Sequence, residues 1–189
     1  MYMQIQKKLF TPVQIGPITL KHRIVMPPMS RLRAQWPSGI PSDLMREYYS
    51  QRASDGGLIL TEATAISPSG RGYRGAPSLY RDEQVTGWKR ITDAVHANGG
   101  YMFVQLWHAG RTTHVAVTGE QPVTASVDPA YWADPNIFVV TPTAFRDRRR
   151  IERWRRPRSL LSSSSTVPPP STRSVQASTA LKSWLPMVI

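Results

Sequence analysis

Leu58-Ile59-Leu60-Thr61-Glu62-Ala63 is a short, almost wholly apolar run. Gly56-Gly57 stops the helix pattern before it, and a Gly-rich loop from Ser67 to Pro77 follows. A run of this length with little polar alternation predicts a strand covered on both faces, as in parallel sheets. The same pattern recurs on either side. Arg23-Ile24-Val25-Met26 is a brief strand stopped by Pro27-Pro28, and Tyr101-Met102-Phe103-Val104-Gln105-Leu106 is a third.

Between these strands the apolar period changes to that of helices. Ser42 is placed to cap one, with Asp43 at the positive end of its dipole. Leu44, Met45, Tyr48 and Ala53 would supply its apolar face. Asp82 and Glu83 open a second helix carrying Val85, Trp88, Ile91, Thr92 and Val95, closed by Asn98-Gly99-Gly100. Ahead of all this, Phe10 to Leu20 surrounds Gly16-Pro17 as a short hairpin. From Val115 to Val140 the pattern predicts short extended pieces and turns. The order hairpin, β, α, β, α, β gives an α/β fold. The long loops are those that follow strands, which in α/β barrels build the active site. No G-x-G-x-x-G follows the first strand and no G-x-x-x-x-G-K-[ST] occurs, so the phosphate loops of doubly wound sheets are missing.

Composition divides the chain in two. Residues 1–144 carry 14 Lys/Arg and 10 Asp/Glu, whereas residues 145–189 carry 10 and 2. The net charge of +12 is therefore mostly a property of the tail. All 12 glycines lie at or before Gly119. The tail reads Arg146-Asp147-Arg148-Arg149-Arg150, then Ser162-Ser163-Ser164-Ser165 and Pro168-Pro169-Pro170. Such a segment has little to bury against its chain entropy and is expected to be disordered, with at most a short basic helix near 151–161. There are no cysteines, so disulfides and thiolate metal sites are excluded. No apolar run approaches the roughly 18 residues of a membrane span, the N-terminus lacks a signal-peptide core, and a cytoplasmic protein is expected.

Three segments begin the loops after strands: Met26-Pro27-Pro28-Met29-Ser30-Arg31, Thr61-Glu62-Ala63, and Gln105-Leu106-Trp107-His108-Ala109-Gly110-Arg111. With Gly70-Arg71-Gly72-Tyr73-Arg74-Gly75-Ala76-Pro77 and Leu9-Phe10-Thr11-Pro12, they resemble the old yellow enzyme family of FMN-dependent oxidoreductases over roughly residues 9–143. The resemblance implies an incomplete (β/α)8 TIM barrel: the N-terminal hairpin and about three βα units over 1–144, then an unrelated tail over 145–189. It implies FMN as cofactor and NADPH or NADH as electron donor. The implied substrate is a small activated alkene such as an enone or quinone; family relatives also act on nitro compounds and, in some subgroups, prostaglandin endoperoxides.

Residue by residue, Pro28 and Met29 match positions whose backbone meets the flavin, and Ser30 matches a hydrogen-bond donor to flavin O4. Ala63 matches a small residue where backbone approaches the ring. Gln105 matches an amide that bonds the pyrimidine edge, where it can donate and accept at once. Tyr73 and Trp107 match aromatics on the substrate side. Each alone has a simpler reading: Pro-Pro is a turn, and a lone Gln or Trp is a core residue. Their joint order carries the assignment. His108 forms no ligand spacing with His22, His96 or His114, so no metal is expected.

A barrel of this kind needs about 250 residues, and nothing after residue 145 matches the family's substrate-holding His and Asn, its proton-donating Tyr, or its phosphate-binding loop. No catalytic residue is therefore assigned. The chain alone is expected to bind FMN poorly and to show little activity. The tail is consistent with a displaced reading frame: Met187-Val188 then forces glycine, and the neighbouring codons permit Ala-Asn-Gly-Tyr, which resembles the family's fourth-strand motif. The alternative reading of the basic tail is a binding module for nucleic acid or an anionic surface. It is the weaker one, because aromatic interleaving and amphipathic order are both poor, and the expected partners remain small molecules, with neither nucleic acid nor membrane.

Overall fold

The computed structural model describes residues 8–123 and residue 130. The tail and most of the stretch beyond Val123 lie outside the described residues, with the disorder, basic helix and extended pieces expected there.

The chain opens with an antiparallel hairpin, β1 (Val13–Ile15) and β2 (Ile18–Leu20), pairing Val13 with Leu20 and Ile15 with Ile18. Three parallel strands follow in spatial order β3 (Val25–Met26), β4 (Leu58–Ala65) and β5 (Tyr101–Trp107). Helix α1 (Asp43–Ser50) connects β3 to β4, and α2 (Asp82–Ala97) connects β4 to β5. Strand β3 is only two residues long because Pro27 and Pro28 have no N–H to offer a ladder.

The register aligns Met26 with Ile59 and Ile59 with Met102. This row packs toward the helices in one core with Met45, Tyr49, Trp88, Ile91 and Val95. Full burial of side chains such as Ile91 and Val95 stabilises by about 1.5–3 kcal/mol each. The opposite face meets the hairpin: Ile18, Leu20 and Leu58 form a second core, with Leu60, Tyr101 and Phe103 packed against it. Lys21 N donates to Gly56 O at 3.0 Å and ties the hairpin exit to the start of β4. The hairpin thus occupies the N-terminal ends of the parallel strands, and the C-terminal ends are left to the loops.

Both helices are locally determined. Ser42 Oγ accepts from Met45 N at 3.3 Å and donates to Arg33 O at 2.6 Å, capping α1 and fastening it to the loop after β3. Gln84 reaches back from the first turn of α2, its Oε1 accepting from Tyr80 N and Arg81 N.

The structure corrects three local expectations. Helix α1 ends at Ser50 and not at the glycine pair. Of its expected apolar face, Met45 is buried and Tyr48 and Ala53 pack against the core, but Leu44 is 55% exposed and Tyr49 is buried in its stead. Val115–Thr118 is a helical turn, α3, and not an extended piece, started by His114 Nδ1 accepting from Ala116 N.

Candidate functional site

Strand β4 contains a bulge. Leu60 faces Phe103 and Ala63 faces Gln105, so Thr61 and Glu62 stand opposite the single residue Val104. An inserted residue reverses the alternation of side chains beyond it. Glu62 consequently points toward α1, where it meets Tyr49, and Ala63 joins the Leu60 face, beside Gln105. Thr61, buried at the bulge, holds the irregular backbone. Its Oγ1 accepts from Gln105 N at 3.0 Å and donates to Glu62 O at 2.9 Å.

Glu62 is the electrostatic centre of this end of the sheet. Its Oε2 accepts from Arg31 N at 3.0 Å and Leu32 N at 3.1 Å, which anchors the loop after β3. Its Oε1 accepts from the Tyr49 hydroxyl at 3.4 Å, and Glu62 N donates to the same hydroxyl oxygen at 2.9 Å. Burial pushes the Glu62 carboxyl above the usual carboxylate range, against the amides of Arg31 and Leu32 and the Tyr49 hydroxyl, which favour its charged form. Tyr49 is pushed up as well, by burial first and then by the Glu62 charge.

The loops after the three strands are knitted together. Ala34 N donates to Gly75 O at 3.0 Å, and Ser78 N to Gly39 O at 3.0 Å, joining the first loop to the second. Gly75 sits at φ +80, and the place of a Cβ there is occupied by Leu32 O, so this crossing needs glycine. Ala109 N donates to Gly70 O at 2.9 Å, joining the second loop to the third. Tyr73 stacks on Trp107 with ring centroids 5.7 Å apart and planes at 22°. Gly72 lies against the Trp107 indole with no room for a Cβ. His108 is half-buried beside Gly70 and Ser69, its Nδ1 accepting from Gly110 N at 3.0 Å, and burial lowers its pKa.

The seven expected site residues all fall at the C-terminal ends of the parallel strands. Pro28, Met29 and Ser30 are exposed just past β3, one residue before the amides that Glu62 holds. Ala63 and Gln105 are direct partners across β4 and β5. Trp107 ends β5, and Tyr73 reaches it from the second loop. The side chains of Ser30 and Gln105 are exposed and make no hydrogen bond among the described residues, and the side chain between their strands is a methyl group, Ala63. Among the described residues no group of three His, Asp or Glu could hold a metal ion, and no helix is long and apolar enough to cross a membrane. The sequence places Thr61 and Glu62 in one of the matching segments but gives them no role, and Tyr49 does not stand out in it. A carboxylate inside an otherwise apolar strand was the available signal, since such a group is buried only with partners.

Residues 8–149 match the sequence model of the NADH:flavin oxidoreductase / NADH oxidase family. The chain is 43% identical over 128 residues to 12-oxophytodienoate reductase 7 of Oryza sativa subsp. japonica, covering 67% of this chain and 32% of that protein. It is 44% identical over 140 residues to flavin oxidoreductase hxnT of Emericella nidulans, covering 71% and 36%. Among solved structures, the old yellow enzyme homologue from Zymomonas mobilis is 48% identical with a TM-score of 0.61, over 64% of this chain and 34% of that one. The chain thus spans about a third of the length of the relatives it matches.

Proposed function

The chain belongs to the NADH:flavin oxidoreductase / NADH oxidase family, and from that premise we propose that the C-terminal ends of β3, β4 and β5 are part of an FMN site serving the NAD(P)H-dependent reduction of an activated alkene. When bound, FMN supplies the hydride-transfer chemistry; the chain supplies binding and orientation. Ser30 donates to a carbonyl at the polar edge of the ring, which favours negative charge there. Gln105 donates and accepts at the pyrimidine edge. Ala63 leaves space for the ring to lie close to β4, and the backbone of Pro28 and Met29 borders it. The Tyr73–Trp107 stack forms a wall on the substrate side. The observation that carries this reading is the pairing of Ala63 with Gln105 near the C-terminal ends of β4 and β5, with the loop that carries Ser30 bonded to Glu62 next to Ala63.

In this reading the described residues are the first βα units of a TIM barrel, and the family-like part passes into the basic tail near residue 145, where the composition changes. The substrate class is an enone or quinone; one relative, by its name, reduces 12-oxophytodienoate. Three strands border only one side of such a ring, so the chain alone binds FMN weakly and turns over little substrate.

A chimera tests the proposal. Residues 8–123 replace the corresponding third of the Zymomonas mobilis homologue, and flavin content and enone-dependent NAD(P)H oxidation are measured. A yellow, active chimera that loses flavin with Ser30→Ala and Gln105→Ala is expected. A folded, colourless chimera would overturn the proposal.

A further inference from the structure

We infer that Glu62 is the positioning residue for the Ser30 donor: its carboxylate, braced from behind by Tyr49, holds the backbone that carries Ser30 at the open end of the sheet. The inference rests on the flavin reading of that end and adds a residue to it. Strand pairing between β3 and β4 stops at Met26. Past that point Pro27 and Pro28 can donate nothing, and residues 27–31 are exposed. Such a segment would be free to wander by more than the tolerance of a hydrogen-bond donor. Glu62 removes that freedom with one oxygen, which accepts from two consecutive amides, Arg31 N at 3.0 Å and Leu32 N at 3.1 Å. One carboxylate oxygen has the two lone pairs this requires, and its charge strengthens both bonds.

The bulge gives Glu62 this task. In a regular strand Glu62 would share a face with Leu60. The inserted residue turns it to α1 and gives the other face to Ala63. One irregularity therefore places both the small residue beside Gln105 and the anchor of the Ser30 loop. Glu62 also floors a cleft of about 250 Å³ between that loop and α1. There the loop's Arg31 approaches the Tyr48 ring of α1 at 5.6 Å, a second tie between the loop and the helix.

The full 189-residue chain is compared as wild type, Glu62→Ala, Glu62→Gln and Ser30→Ala. Residue-resolved amide exchange is followed without cofactor, and FMN is then titrated. In Glu62→Ala the amides of Arg31 and Leu32 should exchange about tenfold faster or more, while those of Ile59 and Met102 keep their rates. Its FMN affinity should fall at least as far as that of Ser30→Ala. Glu62→Gln, whose amide oxygen can still accept both bonds, should restore most of both effects. Unchanged exchange at Arg31 and Leu32 in Glu62→Ala would overturn the inference. Faster exchange throughout β4 and β5 would also overturn it, because Glu62 would then be a general core residue. So would a loosened loop with undiminished FMN affinity in a chain that Ser30→Ala weakens. If Ser30→Ala itself leaves FMN affinity unchanged, the flavin reading fails, and the exchange data still decide whether Glu62 anchors the loop.

Discussion

Tyr49 and Glu62 are bonded to each other twice: the Glu62 amide donates to the Tyr49 hydroxyl oxygen at 2.9 Å, and that hydroxyl donates to Glu62 Oε1 at 3.4 Å. The pair joins α1 to the bulge of β4, and through Glu62 Oε2 it reaches the loop after β3. Tyr49→Phe keeps the ring against Trp88, whose centroid is 6.2 Å away, but leaves a buried amide and a buried carboxylate oxygen each short of a partner. A loss of about 1–3 kcal/mol in urea unfolding is expected. No measurable loss would mean that the two bonds contribute nothing net.

The same pair sets a pH dependence. Folding raises the Glu62 pKa above its ordinary value of 4.5, so between 4.5 and the higher folded value the native state holds a proton that the unfolded state has released. Its contribution to stability is therefore complete below pH 4.5 and declines as pH rises through the folded pKa. His108 acts in the opposite direction. Its pKa is lowered from 6.5, so its contribution is complete above 6.5 and declines as pH falls through the folded value. Subtracting the stability profile of Glu62→Gln from that of the wild type isolates the Glu62 part. That difference should fall with rising pH above 4.5; a flat difference would contradict the assignment.

Thr61 is expected to hold the bulge. Thr61→Val keeps the shape but removes the acceptor for Gln105 N and the donor to Glu62 O. A cost of about 1–3 kcal/mol is expected, with faster exchange of the Gln105 amide. If that amide keeps its rate, another group satisfies it and Thr61 is not the clamp.

Gly72→Ala tests the aromatic wall. A Cβ at residue 72 collides with the Trp107 indole, so the ring must move and its stack on Tyr73 must open. Destabilisation of about 1–3 kcal/mol is expected, with a changed near-ultraviolet circular dichroism from Trp107. A variant with wild-type stability and spectrum would show that the loop yields instead.

Much of this architecture was legible in the sequence, because strand and helix periods and the Ser42 cap are local signals. The hairpin around Gly16-Pro17, the three apolar strands and α2 all form where their patterns place them. The face of α1 was read correctly at Met45, Tyr48 and Ala53 and wrongly at Leu44, because Leu44 and Tyr49 are both apolar enough to be buried and only tertiary packing against Ile59 and Trp88 selects Tyr49. The bulge was invisible for a different reason. Leu60-Thr61-Glu62-Ala63 fits an ordinary strand, and the extra residue shows only when β4 is laid against β5. The role of Glu62 depends on that pairing and on a loop 30 residues earlier, so it could not be read from local pattern.

Titrating the full chain with FMN, followed by flavin absorbance and fluorescence, tests most directly whether these strand ends hold a flavin. Weak but saturable binding is predicted. It should be reduced about tenfold, the value of one good hydrogen bond, by Ser30→Ala and by Gln105→Ala, and left unchanged by Lys89→Ala on the exposed side of α2. Binding that never saturates, or that is indifferent to Ser30 and Gln105, would contradict the account.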